Sequence, residues 1–409
     1  MGSGQWAVGS GQWAVGSGQW TVDSDWRLSS FCELPTAHCP LTAYTDGMAS
    51  TTTAFLYHER YDGRGFSPIS DSWRRYRLGH DLLRELGLLE RVRQVRPEPV
   101  AERELERAHS AAFIRWVREQ SERGEGRFDR STPIYPGLYQ RALIAVGASL
   151  TGARMVAVGT AAHAFNPGGG LHHAARERAS GFCVFNDVVV AVRALQDEFG
   201  LRRIAVVDVD GHHGDGTQEE LYHEPVLYIS LHRYDGRFYP GTGTTGELGA
   251  GAGLGYTANV PLPRRCGDEP YLYALRDLVV PLLRAYRPEV IILQYGVDGH
   301  FQDPLVRLAL TTAAYAETAG ALHDLAHELC EGRLLVTGGG GYNPDIAARC
   351  WAILVATLAD ERPTPAHPRY GRLFDREPAP ADPAAMDSVQ AAVAYLRERL
   401  LTPAILLAP

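Results

Sequence analysis

An α/β fold with a mainly parallel sheet covered on both faces is predicted by three features of the chain. Strand-like apolar runs alternate with amphipathic stretches, the runs lack the polar alternation of a half-exposed sheet, and unusual polar residues gather directly after them. The strand-like runs are MVAVG (155–159), IAVVDVD (204–210), VLYISLH (226–232), VIILQYG (290–296) and LLVTGGGG (334–341). Between them, Asn186 is placed to cap a helix whose Val188, Val189, Val192, Leu195 and Phe199 share a face before Gly200 ends it. A second helix fills Thr311 to Cys330, and a short one spans Ser388 to Leu401.

Parallel sheets of this kind carry their chemistry at the carboxyl ends of the strands. Three runs meet that rule: VVDVD leads into GHHGD, VIILQYGV into DGHFQDP, and LLVT into GGGGY. One Asp after a strand is commonly a turn residue or a helix cap. Three strand ends that all deliver polar clusters point to one site.

A metal is the first expectation. Residues two apart in an extended segment share a face, which nominates Asp208, Asp210 and His212, and a carboxylate with an imidazole suits zinc. Asp298, leaving a second strand in the same sense, is the natural further ligand. A binuclear centre would want a second carboxylate two residues beyond the His. Gly214 stands there in the first segment, and the second offers only Asp298-Gly299-His300, so a single metal follows. Two carboxylates would largely neutralise a divalent zinc, so a base and an electrophile are needed beside it.

The base is sought in NPGGGLHH, where three glycines let backbone approach closely and His172 and His173 can each be oriented by a carboxylate. Asp208 and Asp215 are suitable orienters. Tyr342, after four glycines, can donate its phenol proton to a developing oxyanion. His213 is read as a structural neighbour.

Together FNPGGGLHHA, ASGFCVFND, VVDVDGHHGDGT, ISLHRYDGRFYPGTG, QYGVDGHFQDPL and VTGGGGYN resemble the zinc-dependent histone deacetylase family, most closely its bacterial acetoin-utilization (AcuC-type) members. Order and spacing match over about residues 55 to 360. The resemblance implies the arginase–deacetylase fold, a single domain around an eight-stranded parallel sheet. It implies Asp210, His212 and Asp298 as zinc ligands, with Fe²⁺ an alternative ion. It makes His173 the general base and acid, with His172 as its electrostatic partner, and pairs His172 with Asp208 and His173 with Asp215. Tyr342 would polarise the acetyl carbonyl. Phe182, Phe238 and Tyr239 would wall an acyl-lysine tunnel floored by Leu305, and Gly181 would offer its carbonyl to the substrate. Potassium would bind near Asp208, Asp210, His212, Ser230 and Leu231, and Arg75 matches an arginine of an internal product channel.

The implied activity is removal of acetyl, or another short acyl group, from protein lysine side chains, with an acylated acyl-CoA synthetase as one conceivable substrate. The rivals are an acetylpolyamine amidohydrolase and a non-catalytic acyl-lysine-binding scaffold. Two departures touch substrate choice: Gly65-Phe66-Ser67-Pro68 replaces a usual Gly-His-Pro, and the usual acidic rim residue falls near Ser131, leaving Asp129 close by.

Composition bounds the rest. The formal charge of −8 argues against a general nucleic-acid or anionic-membrane binder. All 40 basic residues are Arg, so no lysine of the chain itself can be acetylated. The cysteines are scattered without a C-x-x-C pair, which fits a reducing, cytoplasmic setting. Residues 1–47, opening with three near-copies of GSGQWAV, are expected to be a flexible extension or a misassigned start, with the working protein beginning near Met48. Residues 361–409, rich in Pro and Ala, are expected to be a peripheral tail.

Overall fold

The computed structural model describes residues 52–62, 71–377 and 381–401. The expectation for residues 1–47 and the departure at Gly65–Pro68 lie outside them.

Eight strands form one sheet: β1 (Thr53–Leu56), β2 (Arg93–Val95), β3 (His163–Asn166), β4 (Ile204–Asp208), β5 (Leu227–Arg233), β6 (Thr257–Leu262), β7 (Val290–Gln294) and β8 (Leu334–Thr337). Their spatial order is β2-β1-β3-β8-β7-β4-β5-β6, and every pairing is parallel. Side chains alternate across a strand, yet β4, β7 and β8 are buried at every position. Val207 and Leu293 enter one core with helices Thr312–Cys330 and Pro344–Leu358, whereas Val206 and Ile292 enter another with helices Leu138–Ala157 and Asp187–Phe199. A helical layer on each face is why these strands read as unbroken apolar runs.

Local signals set the ends of the helices. Asn186 accepts a hydrogen bond from the Val189 amide, and Gly200 closes that helix at φ 67°. Thr311 caps the next long helix by accepting from Ala313 N. At Gly152 the helix Leu138–Ala157 lies so close to the sheet that a Cβ would stand 2.8 Å from Leu335.

Two expectations are corrected. Residues 155–157 of MVAVG end the helix Leu138–Ala157, because Met155 and Val156 continue its buried face. The strand there is the shorter His163–Asn166. The segment beyond 360 is also not peripheral throughout. Tyr370 and Leu373 are buried, and helix Ala385–Leu400 puts Val389, Val393, Leu396 and Leu400 into the main core.

Among the described residues, no helix is long and apolar enough to cross a membrane. Cys183, Cys266, Cys330 and Cys350 are buried free thiols.

Candidate active site

In the middle of the sheet, β3, β8, β7 and β4 are spatial neighbours although their chain order is scrambled. Such a reversal opens a crevice at the carboxyl edge. The four loops leaving these strands bring NPGGGLHH, GGGGY, GVDGH and VDGHHGD to one place.

Asp210, His212 and Asp298 converge there, buried, with their candidate ligand atoms within 4.8 Å of one another. His212 Nδ1 faces both carboxylates, 2.8 Å from Asp298 Oδ2 and 3.3 Å from Asp210 Oδ1. The remaining lone pairs are held by the chain: Gly340 N donates to Asp210 Oδ2 at 2.6 Å, and Gly211 N to Asp298 Oδ1 at 2.7 Å.

Crowding of negative charge shows in the titration of these groups. Burial and the Asp210 charge push Asp298 up to about 6. Burial opposes a charged His212, but Asp298 and Asp210 outweigh it and raise its pKa to about 10. Buried carboxylates that pull a proton onto the imidazole between them form a donor set that a divalent cation would neutralise. The residues therefore fit a single divalent metal ion.

Asp208, nominated by strand alternation, turns elsewhere: its Oδ2 lies 2.8 Å from His172 Nδ1 and accepts from Tyr228 OH at 3.2 Å. Gly214 lies against this pair, and a Cβ on it would stand 2.4 Å from Asp208 Oδ2 and 2.9 Å from His172 Nδ1. A carboxylate has no room at that position, which is the steric counterpart of the single-metal expectation.

His173 Nδ1 lies 2.7 Å from Asp215 Oδ1, and the His172 and His173 rings are 4.1 Å apart. Their environments separate them. Burial works against a charged His172, but Asp208 and Asp210 lift it to about 9. Burial and the His172 charge depress His173 to about 4, so His173 is the neutral partner, with Nε2 free to accept a proton.

Tyr342 sits beside this group, its amide donating to Asp303 Oδ2 at 2.8 Å and its ring 5.7 Å from Phe182. Burial, with Asp298 and Asp210, holds its phenol well above the usual tyrosine value, so it remains a donor. Phe238 stacks on His212 at 5.1 Å, and the Tyr239 ring packs edge-on to His173 at 5.0 Å.

A cavity of about 140 Å³ runs from His172, His173 and Asp210 past Phe182 and Gly181 to Arg75 and Arg141. Phe238, Tyr239 and Leu305 do not line it, and Leu305 packs against the main core. Ser230 and Leu231 are fully buried, with Ser230 beside Asp208 in the β4–β5 ladder. Asp129 does not project freely from the rim, because its carboxylate accepts from Ser131 N at 2.8 Å and Thr132 N at 2.6 Å. His213 bonds Thr242 and Gln218 and takes no part in the ligand cluster.

Sequence reasoning missed Gln294, Asp187 and Asp303. Gln294 Nε2 donates to Asp210 Oδ2 at 3.1 Å and to Gly170 O at 3.2 Å. Asp187 anchors NPGGGLHH by accepting from Gly170 N and Leu171 N. A polar residue closing the apolar run VIIL was the available signal for Gln294.

A Histone deacetylase domain model matches residues 70–358. Acetoin utilization protein AcuC of Bacillus subtilis is 38% identical over 313 residues, covering 73% of this chain and 80% of that protein. A probable deacetylase of Archaeoglobus fulgidus is 38% identical over 71% of this chain and 81% of its own length. A histone deacetylase-like amidohydrolase of Pseudomonas aeruginosa is 33% identical over 69% and 74%. Among solved structures, the HDA15 HD domain superposes with a TM-score of 0.75 at 29% identity, covering 88% of this chain and 98% of that one.

Proposed function

The chain belongs to the histone deacetylase family, and from that premise we propose that it is a zinc-dependent amidohydrolase removing acetyl or another short acyl group from protein lysine side chains. The reading is carried by one observation: a buried two-carboxylate, one-imidazole cluster opens through Asp210 onto a cavity lined by adjacent histidines, of which His172 is held charged by Asp208 and Asp210 while burial and the His172 charge keep His173 neutral.

Asp210, His212 and Asp298 would hold the ion, Zn²⁺ or Fe²⁺. When bound, it supplies a Lewis acid for the acyl carbonyl and acidifies water. The chain's own groups do the rest. His173, fixed through Nδ1 by Asp215, takes the proton of the attacking water on Nε2 and returns it to the leaving amine. His172, kept protonated by Asp208, contributes positive charge near the developing oxyanion. Tyr342 donates its hydroxyl to that oxygen.

Phe182, Phe238 and Tyr239 would flank the acyl-lysine stem, with Leu305 behind them and the Gly181 carbonyl accepting from the substrate amide. Each buried methylene of that stem contributes about 0.8 kcal/mol. A potassium ion near Asp208, Asp210, His212, Ser230 and Leu231 belongs to the same reading. Acylated protein, an acyl-CoA synthetase among the conceivable ones, is the proposed partner.

The test is an assay of the purified full chain on an acetyl-lysine peptide and on acetylated polyamines, with and without chelator, alongside Asp298→Ala and Tyr342→Phe. Peptide turnover lost on chelation and in Asp298→Ala, and reduced at least about 100-fold in Tyr342→Phe, is expected. Turnover indifferent to all three sinks the mechanism, and polyamine turnover far above peptide turnover replaces the proposed substrate.

A further inference from the structure

The sheet carries a second cluster of metal-ligating side chains at its other edge. His163 is the first residue of β3, whose carboxyl end leads into NPGGGLHH. His323 and His327 lie one turn apart on helix Thr312–Cys330, a spacing that sets both on one face. Ring centroids are 4.8 Å apart for His163 and His323, 5.0 Å for His163 and His327, and 4.6 Å for His323 and His327. One ring nitrogen from each lies within 4.8 Å of the other two.

Packing alone explains this arrangement poorly. His163 and His323 are 1% and 2% exposed, and His163 Nδ1 and His323 Nε2 have no hydrogen-bond partner. Each unpaired buried nitrogen costs about 1–3 kcal/mol. The one bond within the trio, His327 Nε2 to His163 Nε2 at 3.2 Å, leaves His323 Nε2 unsatisfied. Two carboxylates stand by: Asp360 Oδ1 is 3.4 Å from His323 Nε2, and Asp324 Oδ1 is 3.3 Å from His323 Nδ1. Arg362 already holds Asp324, leaving Asp360 as the fourth donor. His327 is exposed and opens the cluster to solvent.

We propose that His163, His323 and His327 form a second metal site, completed by Asp360 or water, for a divalent ion of the zinc type. Imidazoles in this number suit tetrahedral Zn²⁺ and its Co²⁺ and Ni²⁺ surrogates. The ion would clip the start of β3 to helix Thr312–Cys330 and to the turn after helix Pro344–Leu358. That role is structural, because no residue of the catalytic cluster belongs to the trio.

The test uses the untagged full chain, stripped with chelator and titrated with Co²⁺ alone. Metal content after gel filtration and the visible Co²⁺ absorption are read together. Two equivalents are expected for the unmodified chain and one for His327→Ala, whose exposed position leaves the fold and, within about twofold, the deacetylase activity intact. Asp298→Ala should keep the equivalent that His327→Ala loses, so failure of the catalytic reading and failure of this one are distinguishable. His163→Asn serves as the second variant and should lose the same equivalent. Zn²⁺ should raise the melting temperature of Asp298→Ala by a few degrees, but not that of Asp298→Ala/His327→Ala. A metal content that His327→Ala and His163→Asn both leave unchanged overturns the proposal.

Discussion

His300 Nε2 lies 2.8 Å from Asp375 Oδ2, joining the turn that follows Asp298 to a residue 75 positions later. Asp375 also accepts from Thr312 N at 2.8 Å and from Arg349 at 2.8 Å. One carboxylate thus holds a site loop, the start of helix Thr312–Cys330 and helix Pro344–Leu358. Removing it leaves a fully buried imidazole and a guanidinium without their partner. Asp375→Ala is expected to cost about 3 kcal/mol, the penalty for breaking a buried ionic pair, read as a lower urea midpoint at unchanged slope. The effect depends on pH. Burial opposes the charge on Asp375, but His300, Thr312 and Arg349 hold its carboxyl well below the ordinary range. The folded state therefore binds fewer protons than the unfolded one through the carboxylate range. The contribution is present above an unfolded pKa of about 3.9 and is lost as pH falls toward the folded value. The gap between the parent chain and Asp375→Asn should narrow below about pH 4; a gap constant from pH 6 to pH 3 would contradict this.

Gly340 is the tightest of the glycines after β8 toward the ligand cluster. A Cβ there would stand 2.1 Å from Asp298 Oδ2 and 3.0 Å from Asp210 Oδ2, while the Gly340 amide already donates to Asp210. Gly340→Ala must displace one carboxylate. Metal retention after dialysis is expected to fall at least about tenfold, as for loss of a supporting group around a metal, with far-ultraviolet dichroism unchanged. Full metal content in Gly340→Ala would remove Asp298 or Asp210 from the ligand set.

Asp129 binds the chain instead of reaching outward. Its carboxylate fixes Ser131 and Thr132, and Ser131 Oγ and Thr132 Oγ1 in turn accept from Gly181 N at 3.2 Å and Phe182 N at 2.9 Å. It thereby positions Gly181 and Phe182, both in the left-handed region at φ 56° and 68°, where only Phe182 bears a steric cost. Asp129→Ala should raise KM for a peptide about tenfold, equivalent to losing about 1.4 kcal/mol of substrate binding, with kcat changed far less. An equal fall in kcat and kcat/KM would assign Asp129 to the chemical step instead.

The central strands and the site were legible because both obey simple rules. β4, β5, β7 and β8 sit inside the sheet with covered faces, so burial wrote them as apolar runs, and chemistry follows their carboxyl ends. β1 and β3 each include a polar residue in a four-residue strand, Thr53 and His163, and the three-residue β2 is only partly buried, so none of them reads as an apolar run. MVAVG misled because a buried helix end and a buried strand share one composition. Gln294 was hidden for a related reason. A polar side chain facing a cluster of candidate ligands from within a strand looks like a flaw in an apolar run until its partners are known. Asp375 and helix Ala385–Leu400 were obscured by flanking Pro and Ala, which describe the connection and not what it packs against.

Arg75 links the cavity to Tyr342, the proposed electrophile. Its guanidinium donates to Gly341 O at 2.8 Å and to Tyr76 OH at 2.9 Å, and lies 4.9 Å from the Tyr76 ring centre. Gly341 directly precedes Tyr342, so Arg75 steadies the backbone that aims the phenol. The same cation lines the cavity, where a carboxylate product would meet it. Arg75→Met keeps most of the apolar stem while removing both functions. Steady-state kcat should fall about tenfold, a loss of about 1.4 kcal/mol in the limiting step. If the cavity carries product outward, a rapid-quench experiment should show a burst of deacetylated peptide in Arg75→Met that exceeds the burst in the parent chain, because release is slowed more than chemistry. If Arg75 only steadies Tyr342, the single-turnover rate falls by the same factor as kcat and no larger burst appears. An unchanged kcat would exclude both roles.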